Sequence, residues 1–271
     1  MSLTSRLAAA ALITVMTVGT ARAATCGNTA AGFDRWLAQF KREAVAQGIP
    51  RRVVDRALGN VRYSKYVIKL DRNQHSFKLS FEKFWRLRVN NAMIRKGRRL
   101  IAKYRRLFDR IERRYGVPPE VLTAIWGLET GFGRNSGRMP IFRSLATLAY
   151  DCRRSDFFRR ELMAALRIVA RGDMTPEQMR GAWAGEIGQT QFLASKYVAL
   201  AVDFDGDGRR DLIHSVPDVL ASTANFLRAH GWKRGAGWAP GTHNYNVIKQ
   251  WNRATVYQKT IAVMADKLAR R

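Results

Sequence analysis

The chain has 271 residues, 46% of them hydrophobic and 10% aromatic, enough apolar material for one sizeable domain or two small ones and too much for a wholly disordered chain. Forty-eight Lys and Arg against 21 Asp and Glu give a formal net charge of +27, which suits a surface that meets polyanions. The basic residues run from Arg51 to Arg271 rather than forming one arm, so a generally solvated basic surface is an equally good reading of the same charge.

The N-terminus reads as a leader. Arg6 supplies a positive start, Leu7 to Val18 is apolar and Ala-rich, and Ala21-Arg22-Ala23 places small residues at a cleavage site. These features predict a secretory signal over residues 1–23; an uncleaved anchor is the alternative, although the apolar run is too short to span a bilayer. Ala23-Ala24-Thr25 ahead of Cys26 lacks the Leu usual in lipoprotein signals, so a soluble export product without a stable membrane anchor is expected. Removing residues 1–23 deletes Arg6 and Arg22 and no acid, leaving a net charge of +25. Export argues against nucleic acid as the partner and favours anionic polymers of the cell envelope. It also favours a disulfide between Cys26 and Cys152, the two cysteines of the chain.

Helical periodicity dominates the rest of the chain. Phe33, Trp36, Leu37, Phe40 and Ala44 share one helix face that ends near Gly48-Ile49-Pro50. Val53, Val54, Ala57 and Leu58 begin a second helix, closed by Gly59-Asn60. Phe77, Phe81, Phe84, Trp85 and Val89 form a further stripe, and another run holds Leu100, Ile101, Tyr104, Leu107, Phe108 and Ile111 before Gly116. All read as core. Pro118 and Pro119 open a helix through Val121, Leu122, Ile125 and Leu128 to about Thr130, where Gly131 and Gly133 end it. Further helices are predicted at 155–171, 176–181, 189–201, 216–230 and 255–269, with Thr255 as a cap. Lys233 to Asn244 reads as loop, and no run of strands is convincing.

Three segments carry candidate chemistry. In Ala124-Ile-Trp-Gly-Leu-Glu-Thr-Gly-Phe-Gly-Arg134, Glu129 sits at the last turn of an apolar helix. Desolvation by Trp126, Leu128 and Phe132, together with the negative end of the helix dipole, disfavours its charge and suits a general acid. Alone, a Glu near a helix end is more often solvated surface. Gly181 to Phe192 combines five small residues with Gln189 and Gln191, whose amides suit sugar hydroxyls; a tight packing loop is the bland alternative. Trp251-Asn-Arg-Ala-Thr-Val-Tyr257 offers aromatics for sugar faces and Asn252 for a polar atom.

Together these segments resemble the lytic murein transglycosylase B family, glycoside hydrolase family 103, over nearly the whole chain beyond the leader. Asp71-Arg-Asn-Gln74 followed by Phe77 and Phe81, Tyr115-Gly-Val-Pro-Pro119, Ala124 to Gly133, Gly185 to Phe192, Asp203 to Leu212 and Ala224 to Trp232 all resemble its motifs. The resemblance implies a mainly α, lysozyme-like fold: a helical N-terminal lobe over about 24–115 and a catalytic core over about 116–271, with the groove between them. It implies Glu129 as the single acid/base, and Gln191, Asn252, Tyr257, Trp251, Thr130 and Gln189 at the substrate. The implied partner is the glycan strand of peptidoglycan, met in the periplasm by a monomeric enzyme that needs no cofactor. The implied reaction cuts between N-acetylmuramic acid and N-acetylglucosamine, with 1,6-anhydro ends as product. Ala182, Ala194, Ala254 and Glu186 depart from the usual pattern, and the segment after Trp232 is short.

Two other functions fit parts of the pattern. A hydrolytic muramidase would need a second carboxylate, for which Glu186 is the one obvious candidate. A non-catalytic cationic wall-binding protein would need only the charge. Finally, Asp203-Phe-Asp-Gly-Asp-Gly-Arg209 resembles the first half of a calcium loop. Asp203, Asp205 and Asp207 have the spacing, Arg209 could offer its carbonyl, and Asp218 could close the shell; His214 stands where the closing Glu normally does. A structural Ca2+ is therefore one expectation, and an Asx-turn without metal is the other.

Overall fold

The computed structural model describes residues 25–73 and 79–270. The leader at residues 1–23, with Gln74 and Phe77, falls outside the described residues. Within them the chain forms thirteen α-helices and one two-stranded antiparallel ribbon. Among these residues, no helix is long and apolar enough to cross a membrane.

The first six helices are α1 (Phe33–Ala46), α2 (Arg51–Leu58), α3 (Lys65–Arg72), α4 (Phe81–Arg88), α5 (Asn91–Lys103) and α6 (Arg105–Tyr115). The stripe Phe33, Trp36, Leu37, Phe40 and Ala44 of α1 is buried as its spacing predicts. Side-chain caps start three of the helices: Ser64 accepts from Val67 N, Ser80 from Lys83 N and Asn90 from Met93 N. The run from Leu100 to Ile111 is not one helix. It breaks at Tyr104, whose φ of −101° and ψ of 23° leave helical geometry.

The helix α7 (Pro119–Thr130) is apolar on nearly every side and packs against α5, α6, α11 (Val216–Ala229) and α13 (Thr255–Ala269). Gly127 lets α13 approach: a Cβ there would stand 2.9 Å from Met264 Cε. Next, α8 (Ile141–Tyr150) and α9 (Ser155–Ala170) lean on each other. Every residue of α8 except Arg143 is buried, so its polar positions Ser144 and Thr147 are covered along with the apolar ones.

Three expectations are corrected. Residues 176–181 are not helical; Arg180–Gly181 forms β2, paired with β1 (Met139–Pro140) so that Met139 faces Gly181. The helix expected over 189–201 is only α10 (Ala194–Leu200), because Ile187 and Phe192 exchange both backbone hydrogen bonds and hold the intervening residues in a turn. Thr255 caps nothing; it is the first residue of α13, after Ala254. The glycine-rich stretch after Trp232 is loop until α12 (His243–Trp251), which Thr242 caps.

Cys26 and Cys152 form a disulfide with Cα atoms 5.0 Å apart. Beside it, buried Asp71 at the end of α3 accepts from Arg72, Arg153 and Arg154, and Arg72 also grips buried Asp151. Burial alone would raise the Asp71 pKa, but the hydrogen bonds from Arg153 and Arg154 outweigh it and hold the carboxyl below its usual range. The bridge and this cluster tie the N-terminal helices to the α8–α9 corner. Closing a loop of 126 residues stabilises by about 4–5 kcal/mol in the chain-entropy model. Reduction, or the Cys26→Ser/Cys152→Ser pair, is expected to lower the thermal midpoint by roughly ten degrees. A midpoint that reduction leaves unchanged would contradict this.

Candidate active site

From residue 121 to residue 130, Glu129 alone keeps surface open to solvent. Its position follows from how α7 ends. Gly131 turns left-handed at φ 62°, and Phe132 follows at φ 64°, a conformation a bulky residue adopts only under constraint. Here the constraint is visible. Phe132 N bonds back to Trp126 O at 3.2 Å, and the Phe132 ring packs edge-on to Trp126 at 5.6 Å. Cations quench the exposed helix end: Arg88 donates to Leu128 O at 2.8 Å and Lys96 to Gly131 O at 3.3 Å.

The α12–α13 junction forms the facing wall. Trp251 Nε1 donates to Glu129 Oε1 at 2.9 Å, and the indole is itself wedged edge-on between Phe192 at 5.5 Å and Phe226 at 4.9 Å. Asn252 follows α12 and uses its side-chain oxygen on Ala254 N at 2.9 Å. Tyr257 is sealed beside Glu129, packed on Phe84, and its hydroxyl makes no well-aligned hydrogen bond. Burial pushes the Glu129 pKa up to about 7, and the negative charge of Glu186 adds to the rise; the donors Trp251 and Tyr257 and the charge of Arg88 oppose it. Burial, then Glu129, raises Tyr257 well above its ordinary value.

A third wall is the loop from Gly181 to Phe192. Ala182 N bonds Glu186 O at 3.1 Å, and Gln191 is left-handed at φ 56°. Gln191 spends its amide nitrogen on Gly188 O and Ser136 O, at 2.9 and 3.2 Å. The three walls enclose a pocket of about 420 Å³ that Glu129, Gln191, Trp251, Asn252 and Tyr257 all line. A cavity of about 600 Å³ between α1, α9 and α10 is larger but shares no lining residue with it, so volume alone does not locate the chemistry.

Two residues expected at the substrate lie beneath the pocket instead. Gln189 is 8% exposed and fully spent: its oxygen accepts from Trp126 Nε1 at 2.8 Å and its nitrogen donates to Ile213 O at 2.8 Å. Thr130, 1% exposed, donates to Gln189 O at 2.6 Å and accepts from Gly133 N at 2.8 Å. They bolt the glutamate helix to the glycine-rich loop. Conversely Trp183, Lys196 and Gln250 line the pocket without having been assigned to it, and Glu186, the candidate second carboxylate, lines it as well. Trp183 and Glu186 sit inside a segment whose motif points to the site; nothing in the local sequence marks Lys196 or Gln250.

The aspartate loop lies behind this floor, since Gln189 also binds Leu212 O through its backbone at 2.8 Å. Carboxylate oxygens of Asp203, Asp205 and Asp218 lie within 4.8 Å of one another. Burial raises the Asp218 pKa and Asp205 adds to the rise, while the N–H groups of Phe204 and Asp211 oppose it. Such a set suits a hard divalent ion. Asp207 does not join it; its carboxylate takes Arg209 N at 2.9 Å and the Arg209 guanidinium at 3.1 Å. Asp203 also accepts from Gly206 N and Gly208 N, while Asp205 and Asp207 each accept from the backbone N–H two residues on, the pattern of an Asx-turn.

A raised pKa is also a statement about stability. Glu129 binds its proton more tightly folded than unfolded, so between pH 4.5 and about 7 stability falls as pH rises, and the full penalty stands above 7. Glu129→Gln is expected to stabilise the protein at pH 8 by up to about 3 kcal/mol and to change little at pH 4. Urea unfolding at the two pH values checks this; an equal effect at both would contradict it.

The transglycosylase SLT domain family matches residues 32–242. The membrane-bound lytic murein transglycosylase B of Escherichia coli (strain K12) is 39% identical over 150 residues, which are 52% of this chain and 41% of that protein; the match thus spans about two fifths of its length. SltB3 from Pseudomonas aeruginosa, solved in complex with NAG-anhNAM-pentapeptide, superposes with a TM-score of 0.83 at 31% identity, over 87% of this chain and 79% of that one. The lytic transglycosylase Slt35 of Escherichia coli, solved with calcium, gives a TM-score of 0.78 at 25% identity, over 94% and 98%. The mainly α, lysozyme-like fold expected from the sequence is the fold of these structures. With the family match running from ahead of α1 to the start of α12 and taking in the glutamate helix and its glycine-rich wall, the chain belongs to the transglycosylase SLT domain family.

Proposed function

We propose that the chain is a lytic transglycosylase that cleaves peptidoglycan between N-acetylmuramic acid and N-acetylglucosamine. The observation that carries this reading is Glu129, a carboxyl that holds its proton to about pH 7 in a glycan-sized pocket. SltB3 supports it, having been solved with an anhydro-muramyl product fragment. Glu129 protonates the glycosidic oxygen as the bond to muramic C1 breaks. The 6-hydroxyl of the same sugar then attacks C1, and the Glu129 carboxylate takes the hydroxyl proton. A 1,6-anhydro ring forms, the leaving sugar departs with its hydroxyl, and no water is consumed. A residue that acts as acid and then base needs a pKa near the working pH, which its desolvated setting supplies. Trp251 holds the carboxyl in place, while Gln191, Asn252 and Tyr257 hold the sugar. The leader, the disulfide and the substrate together make the periplasm the place of work.

Hydrolysis on the same fold is a second reading, favoured by Glu186 as another carboxyl in the pocket. The anhydro-muramyl fragment bound to SltB3 favours the lytic outcome over hydrolysis, so we rank hydrolysis second. Mass spectrometry of digested peptidoglycan separates the two: 1,6-anhydro muramic ends are expected, and reducing-end muramic acid as the main product would make this a hydrolase. Glu129→Gln is expected to lose about two orders of magnitude or more of activity. Full activity in that variant would move the acid elsewhere, and an inactive wild type would leave a cationic wall-binding protein.

Asp203, Asp205 and Asp218 would hold a calcium ion as a structural cross-link between the loop and α11. No step of the reaction passes through it. Millimolar Ca2+ is expected to raise the thermal midpoint by several degrees, an effect that Asp203→Ala abolishes. A midpoint indifferent to Ca2+ would favour the metal-free turn.

A further inference from the structure

Among the described acids, Glu186 alone has a buried carboxyl oxygen without a partner. Its Oε2 is shut off from solvent and takes no hydrogen bond. Other buried acids are spent: Glu161 accepts from Ser195 N and Oγ at 2.8 and 2.7 Å, and Asp71 and Asp151 are gripped by arginines. Arg154 is near enough for its charge to act on Glu186, yet its guanidinium is committed to Asp71. Leaving a buried polar oxygen unmatched is costly, and the backbone N–H groups of Glu186 and Ala184 offset the burial of this carboxyl only in part.

The backbone nevertheless holds Glu186 firmly on the pocket wall. Its carbonyl accepts from Ala182 N, and Gly181 is pressed so closely that a Cβ would lie 2.0 Å from that oxygen. The residue lines the same pocket as Glu129, beside the methyl of Ala182, which cannot bond to it. An unmatched polar atom kept on the wall of a binding pocket is one mark of a group whose partner arrives with the ligand.

Resting on the glycan-cleaving reading above, we propose that Glu186 is a substrate-contacting residue whose carboxyl hydrogen-bonds a donor on the sugar in the pocket, a ring hydroxyl or an acetamido N–H. A carboxyl oxygen accepts from either of those donors. Glu186 thereby sets which sugars fit beside Glu129, and leaves the proton transfer itself to Glu129.

The test compares wild type, Glu186→Ala and Glu186→Gln on soluble, uncrosslinked glycan strands, reading KM, kcat and thermal midpoint. Glu186→Ala is expected to raise KM about tenfold, to leave kcat within about threefold and to leave the midpoint unchanged or higher. Glu186→Gln, which keeps a hydrogen-bonding oxygen, should stay within about twofold of the wild-type KM. An unchanged KM in Glu186→Ala overturns the proposal, as does a KM rise that comes with a lower midpoint and is not rescued by Gln. N-deacetylated strands distinguish the donors. The Glu186→Ala penalty changes there if the carboxyl faces the acetamido group and stays the same if it faces a hydroxyl. Wild-type inactivity on the glycan sinks the functional reading and this proposal together; an active wild type with an indifferent Glu186→Ala sinks this proposal alone.

Discussion

A carboxyl at the C-terminal end of an apolar helix meets the negative end of the dipole and little water, and both favour the protonated form. Much of the architecture around Glu129 can be understood as holding it there. The left-handed pair Gly131 and Phe132 stops α7 one residue past it, so the side chain emerges at the pocket instead of inside the core. Arg88 and Lys96 neutralise neighbouring carbonyls. Trp251 then supplies one well-aimed donor to the carboxyl, a contact that limits the pKa rise and fixes the geometry at once.

Support for that arrangement comes from both directions along the chain. Behind the pocket, Trp126, Gln189 and Thr130 form a closed set of buried hydrogen bonds between α7 and the glycine-rich loop, and the same Gln189 reaches Leu212 and Ile213 next to the aspartate loop. A shift in any of these parts would move the others. At the far side, the Cys26–Cys152 bridge and the Asp71 cluster fasten α3 and the N-terminal segment to the corner between α8 and α9. In the N-terminal lobe, α4 also joins the site, through Phe84 on Tyr257 and Arg88 on Leu128.

Amphipathic elements with a wet face were legible in the sequence: α1, α9 and α13 lie within a residue or two of where their stripes place them, as does α11, which is exposed only at its last two residues. α8 was not read, although Arg143, Ser144 and Thr147 fall at helical spacing; it is short, and only Arg143 of it is exposed. Residues 176–181 and 189–193 look helical by composition, but their backbone bonds go to β1 and to the Ile187–Phe192 pair, which no local pattern announces. The site shows the same division. Glu129, Gln191, Trp251, Asn252 and Tyr257 line the pocket as their motifs imply. Gln189 and Gln191 have the same chemistry two residues apart, and only the left-handed φ of Gln191 sends one to the pocket and the other to the core. Long-range packing makes that choice, so the motif alone could not assign their roles.

The central claim is that burial keeps a proton on Glu129 up to neutral pH. Carbon-13 NMR of the glutamate carboxyls, assigned by difference between wild type and Glu129→Gln, measures this directly in the ligand-free protein. One carboxyl titrating near pH 7 and missing from the variant is the predicted result. A Glu129 signal that titrates near pH 4.5, like an ordinary glutamate, would contradict the account.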